Sequence, residues 1–554
     1  MYQTSKKRIY TFIALSSLLL AGCSTTGQET SSDTDSSANS SSKQEMKVVL
    51  TAEMGSADLS LATDSNSFTT LNNAYEGLYR LNEKNEPEIA GASEEATVSE
   101  DGLTYTVKLR EDAKWSNGDL VTAKDYVFSW QRTVAPETAS GYAYMLEPVK
   151  NASAISEGEL DKEELGVKAV GDYELEITLE QPTPYFTSLL AFPTFFPQNQ
   201  KAVDEFGDQY ALTSDNAYYN GPFVLTDFDG PGTDVDWTLQ KNEEYWDAEN
   251  VELETVEFDV VKESSTALNL FESGDANEIS LTGELAKQKS DDENAIKQLQ
   301  GMTQYLELNQ DGDSVFKNLN LRKAISSALD RKQIVDNILG DGSVVATGIV
   351  PQDMSFNPDT KADFTEEAGT DFLADEEKAQ EYWENAKQEL DIDELSFELL
   401  TSDTESSKKM AEYVQGTLQK TLPGMTVSVS NVPLSVRLDR SNSGDFEVVM
   451  NNWVADYADP INFLELFTSD SSYNRGKWVN EEFDQWIDAS KTTDVSDPTK
   501  RFQDMVEAEK VLSDDLGVIP LYQGANVLMR TPDVQGLVTH GVGAGYDFKG
   551  ASIK

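Results

Sequence analysis

Short apolar runs of period two alternate with longer runs of period 3.6 from residue 47 to the C-terminus, which limits the fold to the α/β or α+β class. "KVVLTAE" at 47–53 opens the body with a strand. "LTYTVKLR" at 103–110 and "DYELEITLE" at 172–180 alternate apolar and polar residues, so each predicts a strand with one buried face. "NLRKAISSALDRKQIVDNIL" sets Leu321, Ala324, Ile325, Ala328 and Leu329 at helical spacing. It predicts one helix over 320–339, stopped at Gly340. "SKKMAEYVQGTLQKTL" at 407–422 predicts a second helix, then Pro423-Gly424 and the strand "MTVSVS". "RFQDMVEAEKVLSDD" at 501–515 predicts a third, followed by the buried strand "GVIPLY". The length suits about three domains, and no internal repeat divides it.

The first 22 residues have the form of an export leader. Lys6, Lys7 and Arg8 precede an apolar run from Ile9 to Ala21, too short to span a bilayer comfortably as a helix. The run ends in Leu20-Ala21-Gly22-Cys23, which resembles a bacterial lipobox and implies lipidation of Cys23. Cys23 is the only cysteine, so it has no disulfide partner and no metal-site partner. A lipid there gains about 0.8 kcal/mol per buried CH₂. The following stretch is dominated by Ser, Thr, Asp, Gln and Gly and reads as a disordered tether, 23–45 with the lipidated cysteine. The expected location is the outer face of the cell membrane of a Gram-positive bacterium. The formal net charge of −56 becomes three units more negative once Lys6, Lys7 and Arg8 are removed. That argues against nucleic acid and against direct adhesion to anionic lipid.

Several catalytic chemistries are missing. With His540 as the single histidine, a zinc motif of paired histidines cannot be written. A Ser-His-Asp triad would need His540, and no G-x-S-x-G accompanies it. "GVGAG" at 541–545 lacks dinucleotide spacing and reads as a turn. There is no phosphate loop, so any ATP must be hydrolysed by another protein. A glycosidase-like carboxylate pair stays open among 99 acidic residues, but nothing singles one out. No cofactor and no metal are expected.

"NNWVADYADP" at 451–460 sets Trp453 three residues before Asp456 and six before Asp459, ending on Pro460. From the residues alone, this is either core packing and a turn, or a wall and an anion that hold a ligand.

Longer blocks carry a resemblance. "AKWSNGDLVTAKDYVFSWQRTVAP" at 113–136 is similar to the W-S-[DN]-G-x-x-x-T-A-x-D-x-x-x-S-x-x-R segment of extracellular oligopeptide-binding proteins that serve ATP-driven peptide importers. "YNGPFVL", "NEEYWD" and "NLNLRKAISSALDR" resemble further blocks of that family in the same order, and "WVADYADPINFL" at 453–464 resembles its W-x-A-D-Y-x-x-P-x-x-F-L. The resemblance covers nearly the whole body. It implies a family 5 solute-binding protein with two lobes, a hinge, and an extra domain on the first lobe. Lobe one would be 46–78, 201–304 and 518–554, the extra domain 79–200, and lobe two 305–517. The hinge crossings would fall near 305–309 and 517–521.

The resemblance also implies the site. Asp456 would bind the free amino group of a peptide, with Trp453 as a flat wall beside it and Asn452 and Tyr457 as neighbouring ligand-binding residues. "SGYAYML" at 140–146 resembles the loop through which the extra domain touches ligand, with Tyr142, or alternatively Tyr144, as the contact. Asp459 and Pro460 are expected to make a turn. Some members meet a short peptide's carboxylate with an arginine just before the Trp; here Val448, Val449, Met450, Asn451 and Asn452 occupy that run, and Arg437 and Arg440 lie further upstream. The resemblance implies a monomer that hands oligopeptides to membrane permease subunits with separate ATPases. A dedicated receptor for one signalling peptide, a binder of another solute, and an extracellular hydrolase are the alternatives.

Overall fold

The computed structural model describes residues 43–554. The leader and Cys23 lie outside the described residues. Eleven strands share one sheet. Its order is Met425–Val432, Leu395–Ser402, Val448–Val454, Ala295–Leu308, Ile519–Arg530, Glu278–Leu281, Glu45–Leu50, Thr255–Val260, Asp236–Lys241 and Phe223–Thr226, with Val344–Val345 paired to Ile519–Arg530. The two strands at its centre are the long ones, 14 and 12 residues. They run antiparallel, and their register shifts between Leu299 and Thr303 and again between Gln304 and Tyr305. Pro520, opposite Tyr305, has no N–H for the ladder, which suits an irregular pairing. These two strands join the lobes of an α/β two-lobed fold.

A separate antiparallel sheet of Thr97–Val98, Thr104–Lys108, Glu174–Thr178 and Val167–Ala169 builds the extra domain. The helix Ala123–Val134 starts where the Asp125 carboxylate accepts the Thr122 backbone N–H at 2.7 Å, a cap that explains the T-A-x-D spacing of the motif. Trp115 and Trp130 are fully buried, and Arg132 donates twice to Asp58 at 2.7 and 2.6 Å, tying the extra domain to the first lobe. The most specific motif in the sequence is therefore structural. One apolar cluster runs from Val48 and Trp115 to Trp453, Phe463 and Phe502, while Leu306, Trp383 and Leu399 belong to a second one within lobe two.

The expected strands appear at Glu45–Leu50, Thr104–Lys108 and Glu174–Thr178, and the expected helices at Glu405–Thr421 and Pro498–Asp515. Two expectations need correction. The helix over 320–339 is broken: Leu319–Ala328 ends at Leu329, and a new segment begins after Asp330. The Asp330 carboxylate accepts the N–H groups of Lys332 and Gln333, so it caps a second start and does not continue the first helix. Gly340 does stop that segment, at φ 64°. The body also begins before residue 46. Glu45 is in the first strand, and Gln44 both donates to Ile553 O and accepts from Ile553 N.

Candidate functional site

The strand Val448–Val454 pairs along its full length with Ala295–Leu308 on one side. On the other side it pairs with Leu395–Ser402 only at Val448 and Val449. From Met450 to Val454 that edge has no strand neighbour among the described residues, and Asn452 on it is exposed. Open edges of this kind accept an added strand.

Asp456 follows directly. Ala455 donates to Gly301 O at 2.7 Å and accepts from Gly543 N at 2.7 Å, which pins the chain as it leaves the strand. Gly543 has φ 64°, and a Cβ there would sit 3.1 Å from Asp456 O, so this glycine permits the close approach. The turn at Asp459-Pro460 then folds the helix Ile461–Leu464 back. Asn462 Oδ1 accepts both Asp456 N at 2.9 Å and the Trp453 indole N–H at 3.1 Å.

Asp456 is 6% exposed. It accepts from Tyr142 Oη at 3.3 Å, Tyr144 Oη at 3.1 Å and Asn462 Nδ2 at 3.4 Å. It has no cation within 4 Å among the described residues. Burial pushes its pKa up to about 7, against the pull of those three donors. A small void of about 10 Å³ beside it is lined by Asn72, Phe192, His540 and Gly543 among others, room for about one water. The reading of "GVGAG" as a turn missed that it packs on the backbone at Ala455 and Asp456.

The extra domain and lobe two are clasped around Asp456 by aromatic residues. Tyr142 stacks on Phe192 at 5.9 Å. Tyr144 and Trp453 both meet Tyr473 edge-on at 5.1 Å, and Tyr473 Oη donates to Gly141 O at 3.0 Å. Tyr185 stacks on Tyr457 at 4.9 Å, beside a cavity of about 240 Å³ that also touches Glu465 and Lys491. So Tyr142 and Tyr144, posed as alternatives, both reach Asp456. Trp453 is buried behind Tyr473 and orients Asn462; it is not an open wall. Asn452 lies on the free edge. Tyr457 donates to Glu465 Oε1 at 3.2 Å and not to Asp456. Asn462, Tyr473 and Tyr185 were not foreseen. Arg440 is committed to Glu398 and Asp445, whereas Arg437 reaches Asn451 on the strand.

A carboxylate that closure buries leaves a pH signature. An exposed carboxylate in an open cleft titrates near 3.9, so the empty closed form is most favoured below that pH and loses the advantage as pH rises through about 7. Ligand-free protein is expected to be more open at pH 8 than at pH 5 by small-angle scattering, and Asp456→Asn is expected to lack that component.

Two lobes on paired crossing strands, closed over a buried anion, define a solute-binding protein and not an enzyme. The chain belongs to the bacterial extracellular solute-binding proteins, family 5, whose model matches residues 86–475. A dipeptide-binding protein of Lactococcus lactis subsp. cremoris is 36% identical over 558 residues, covering 98% of both chains. The structure of Listeria monocytogenes OppA bound to peptide matches with TM-score 0.87 at 40% identity, covering 93% of this chain and 100% of that one. Escherichia coli MppA, a murein tripeptide binding protein, matches with TM-score 0.82 at 28% identity, over 93% and 99% of the chains. An unliganded open form of MppA, also 28% identical and over 93% and 98%, falls to 0.67. The lobes here therefore lie closer to the former arrangement than to the open one.

Proposed function

We propose that this protein is a lipid-anchored receptor that captures oligopeptides in a closing cleft and delivers them to a membrane peptide importer. The observation that carries this reading is Asp456: a buried carboxylate with no cation within 4 Å, at the end of a strand edge with no strand neighbour, both among the described residues. A peptide supplies both missing groups. Its ammonium pairs with Asp456 in a charged hydrogen bond of about 1.5–3 kcal/mol. Its main chain, common to every sequence, adds along Met450–Val454 as a further strand. With the ammonium at Asp456, beyond the C-terminal end of that strand, the peptide runs antiparallel to it. Closure then forms the surface that the permease subunits read, and ATP is spent by separate subunits.

Incubating ligand-free protein with a mixed peptide library and identifying what it retains by mass spectrometry tests this reading. A broad retained class with free amino termini supports it. One retained sequence points to a receptor for a single signal, as in the structural neighbour PrgZ, a pheromone receptor. Cleaved peptides, or none retained, overturn it. Peptide is also expected to shrink the radius of gyration of verified ligand-free protein. For the anchor, Cys23→Ser is expected to move the protein from the membrane fraction to the soluble one, because the acidic body has no other affinity for membrane. Continued sedimentation with membranes would mean that 20–23 is no lipobox.

A further inference from the structure

The seam between residues 144–189 and lobe two holds the cavity of about 240 Å³, just below the range of about 300–1,000 Å³ for drug-sized ligand pockets. Asp456, Asn452 and Trp453 do not line it, so it is a separate space from the free strand edge. Glu147 and Glu180 on its rim are exposed, so it opens to solvent on its own. The charges on its walls do not balance. Glu147 and Glu180 come from one side and Glu465 from the other, against one lining cation, Lys491. Lys491 Nζ is 3.6 Å from Glu465 Oε2, long for a hydrogen bond, and Glu465 Oε1 accepts from Tyr457 Oη at 3.2 Å. Glu180 accepts Asn151 N at 2.7 Å, and neither Glu147 nor Glu180 has a cation within 4 Å among the described residues. Arg501 lies over the Tyr185 ring but is already paired with Asp459. Three carboxylates against one ammonium leave two negative charges unmet. Burial pushes the Glu465 pKa up, against the pull of Lys491 and Tyr457. Desolvation and the charge of Glu465 hold the Glu147 pKa up as well, against Lys491. Closure brings Glu147 and Glu465 together, so in the empty protein it works against like charges.

The walls also define the kind of cation that fits. Among the described residues no group of three His, Cys, Asp or Glu is set to hold a metal ion, so the negative charge is spread along the seam and not focused on one point. Tyr185 and Tyr457, stacked at 4.9 Å and 9° apart, add aromatic surface alongside the carboxylates, and Met145 and Leu189 add aliphatic surface. Aromatic faces attract ammonium groups as well as methylenes. A ligand with a positive charge at each end of a short apolar stem meets all of these features. We propose that this seam binds a linear aliphatic diamine of about four or five carbons, one ammonium on Glu465 and the other on Glu147, and that the diamine thereby favours the closed form. By linkage, diamine and peptide then each raise the other's affinity. The peptide reading depends on Asp456 and the free edge, and this inference depends on the seam, so either can fail alone.

The test is calorimetry of ligand-free protein with 1,4-diaminobutane, using butylamine as the single-charge probe and 1,4-butanediol as the uncharged one. The diamine is expected to bind saturably and at least about tenfold more tightly than butylamine, the contribution of one further charged hydrogen bond. Butanediol is expected not to bind. Glu465→Gln and Glu147→Gln are each expected to bring the diamine down to the level of butylamine. Lys491→Gln is expected to act in the opposite sense and tighten the diamine, because it frees Glu465 and adds an unmet charge. A variant that merely damaged the fold would not bind more tightly. Asp456→Asn is expected not to weaken the diamine, which separates the seam from the place of a peptide's ammonium. In small-angle scattering the diamine is expected to shrink ligand-free wild type and not Glu147→Gln. The inference is overturned if 1,4-diaminobutane shows no saturable binding, if butylamine binds as well as the diamine, or if Lys491→Gln weakens the diamine. It is equally overturned if Asp456→Asn abolishes binding while the Glu465 and Glu147 variants keep it, because the amine then sits in the peptide cleft. Saturable binding without shrinkage overturns the coupling to closure.

Discussion

Asp459→Ala is expected to lower the unfolding free energy by about 3–5 kcal/mol, because it strands a buried guanidinium. Arg501 and Asp459 form two parallel hydrogen bonds, both 2.8 Å, with side chains only 8% and 14% exposed. The guanidinium also lies over the Tyr185 ring at 5.4 Å. Removing the carboxylate leaves the cation without a counter-charge and without the water it would need. The same carboxylate accepts Ile461 N at 3.0 Å, so the turn that returns Asn462 to Asp456 loosens too. The urea midpoint of the single variant measures the loss. The double variant Asp459→Leu/Arg501→Met removes both charges and should recover most of it, since an apolar pair of similar volume is often neutral in place of a buried ion pair. A loss under about 1 kcal/mol in the single variant would mean that water reaches Arg501, as at an exposed pair.

The parts of this molecule that were readable in the sequence are those whose determinants are local. Period-two alternation at 104–108 and 174–178 and period 3.6 at 405–421 marked their elements because each needs only its own side chains to define a buried face. The exception, 320–339, failed for an equally local reason. Asp330 sits in phase with a helical pattern, and its capping bonds outweighed that pattern. The turn at Asp459-Pro460 was legible from its residue types, but the Arg501 partner, 42 residues on, was not. Asp456 stood out through a sequence block. The block could not show that the carboxylate accepts from Tyr142, Tyr144 and Asn462 while Gly543 packs on the backbone beside it. The two tyrosines lie 314 and 312 residues from Asp456, and neither carries a motif that names its neighbour. The free edge was invisible for a different reason. It depends on where the register of Leu399 and Leu400 with Val448 and Val449 ends, which is a property of two strands and of neither alone. Trp453 shows how residue type can mislead. An indole next to an anion suggests a wall for ligand, yet here the indole N–H holds Asn462 and the ring faces Tyr473.

Asp456→Asn is expected to weaken binding of free-amine peptides by about 10- to 100-fold. The side chain keeps its shape and can still accept from Tyr142 or Tyr144, so what is removed is the charge that meets the ammonium. A charged hydrogen bond of that kind contributes about 1.5–3 kcal/mol, and each 1.4 kcal/mol is about tenfold in affinity. The fold should not suffer. Closure buries a group whose pKa has already been driven up to about 7, and the amide carries no charge to desolvate, so the empty variant should unfold at no lower temperature than wild type. The decisive comparison uses an N-acetylated version of the same peptide. Without an ammonium, it should already bind wild type poorly, and the substitution should add little further loss. The two changes are then non-additive, as expected when they remove one shared interaction. If the variant instead loses affinity equally for free and acetylated peptides, Asp456 shapes the loop through Asn462 and does not hold the amine. The buried carboxylate would then be a structural group, and the proposal that its missing cation is a peptide's would fail with it.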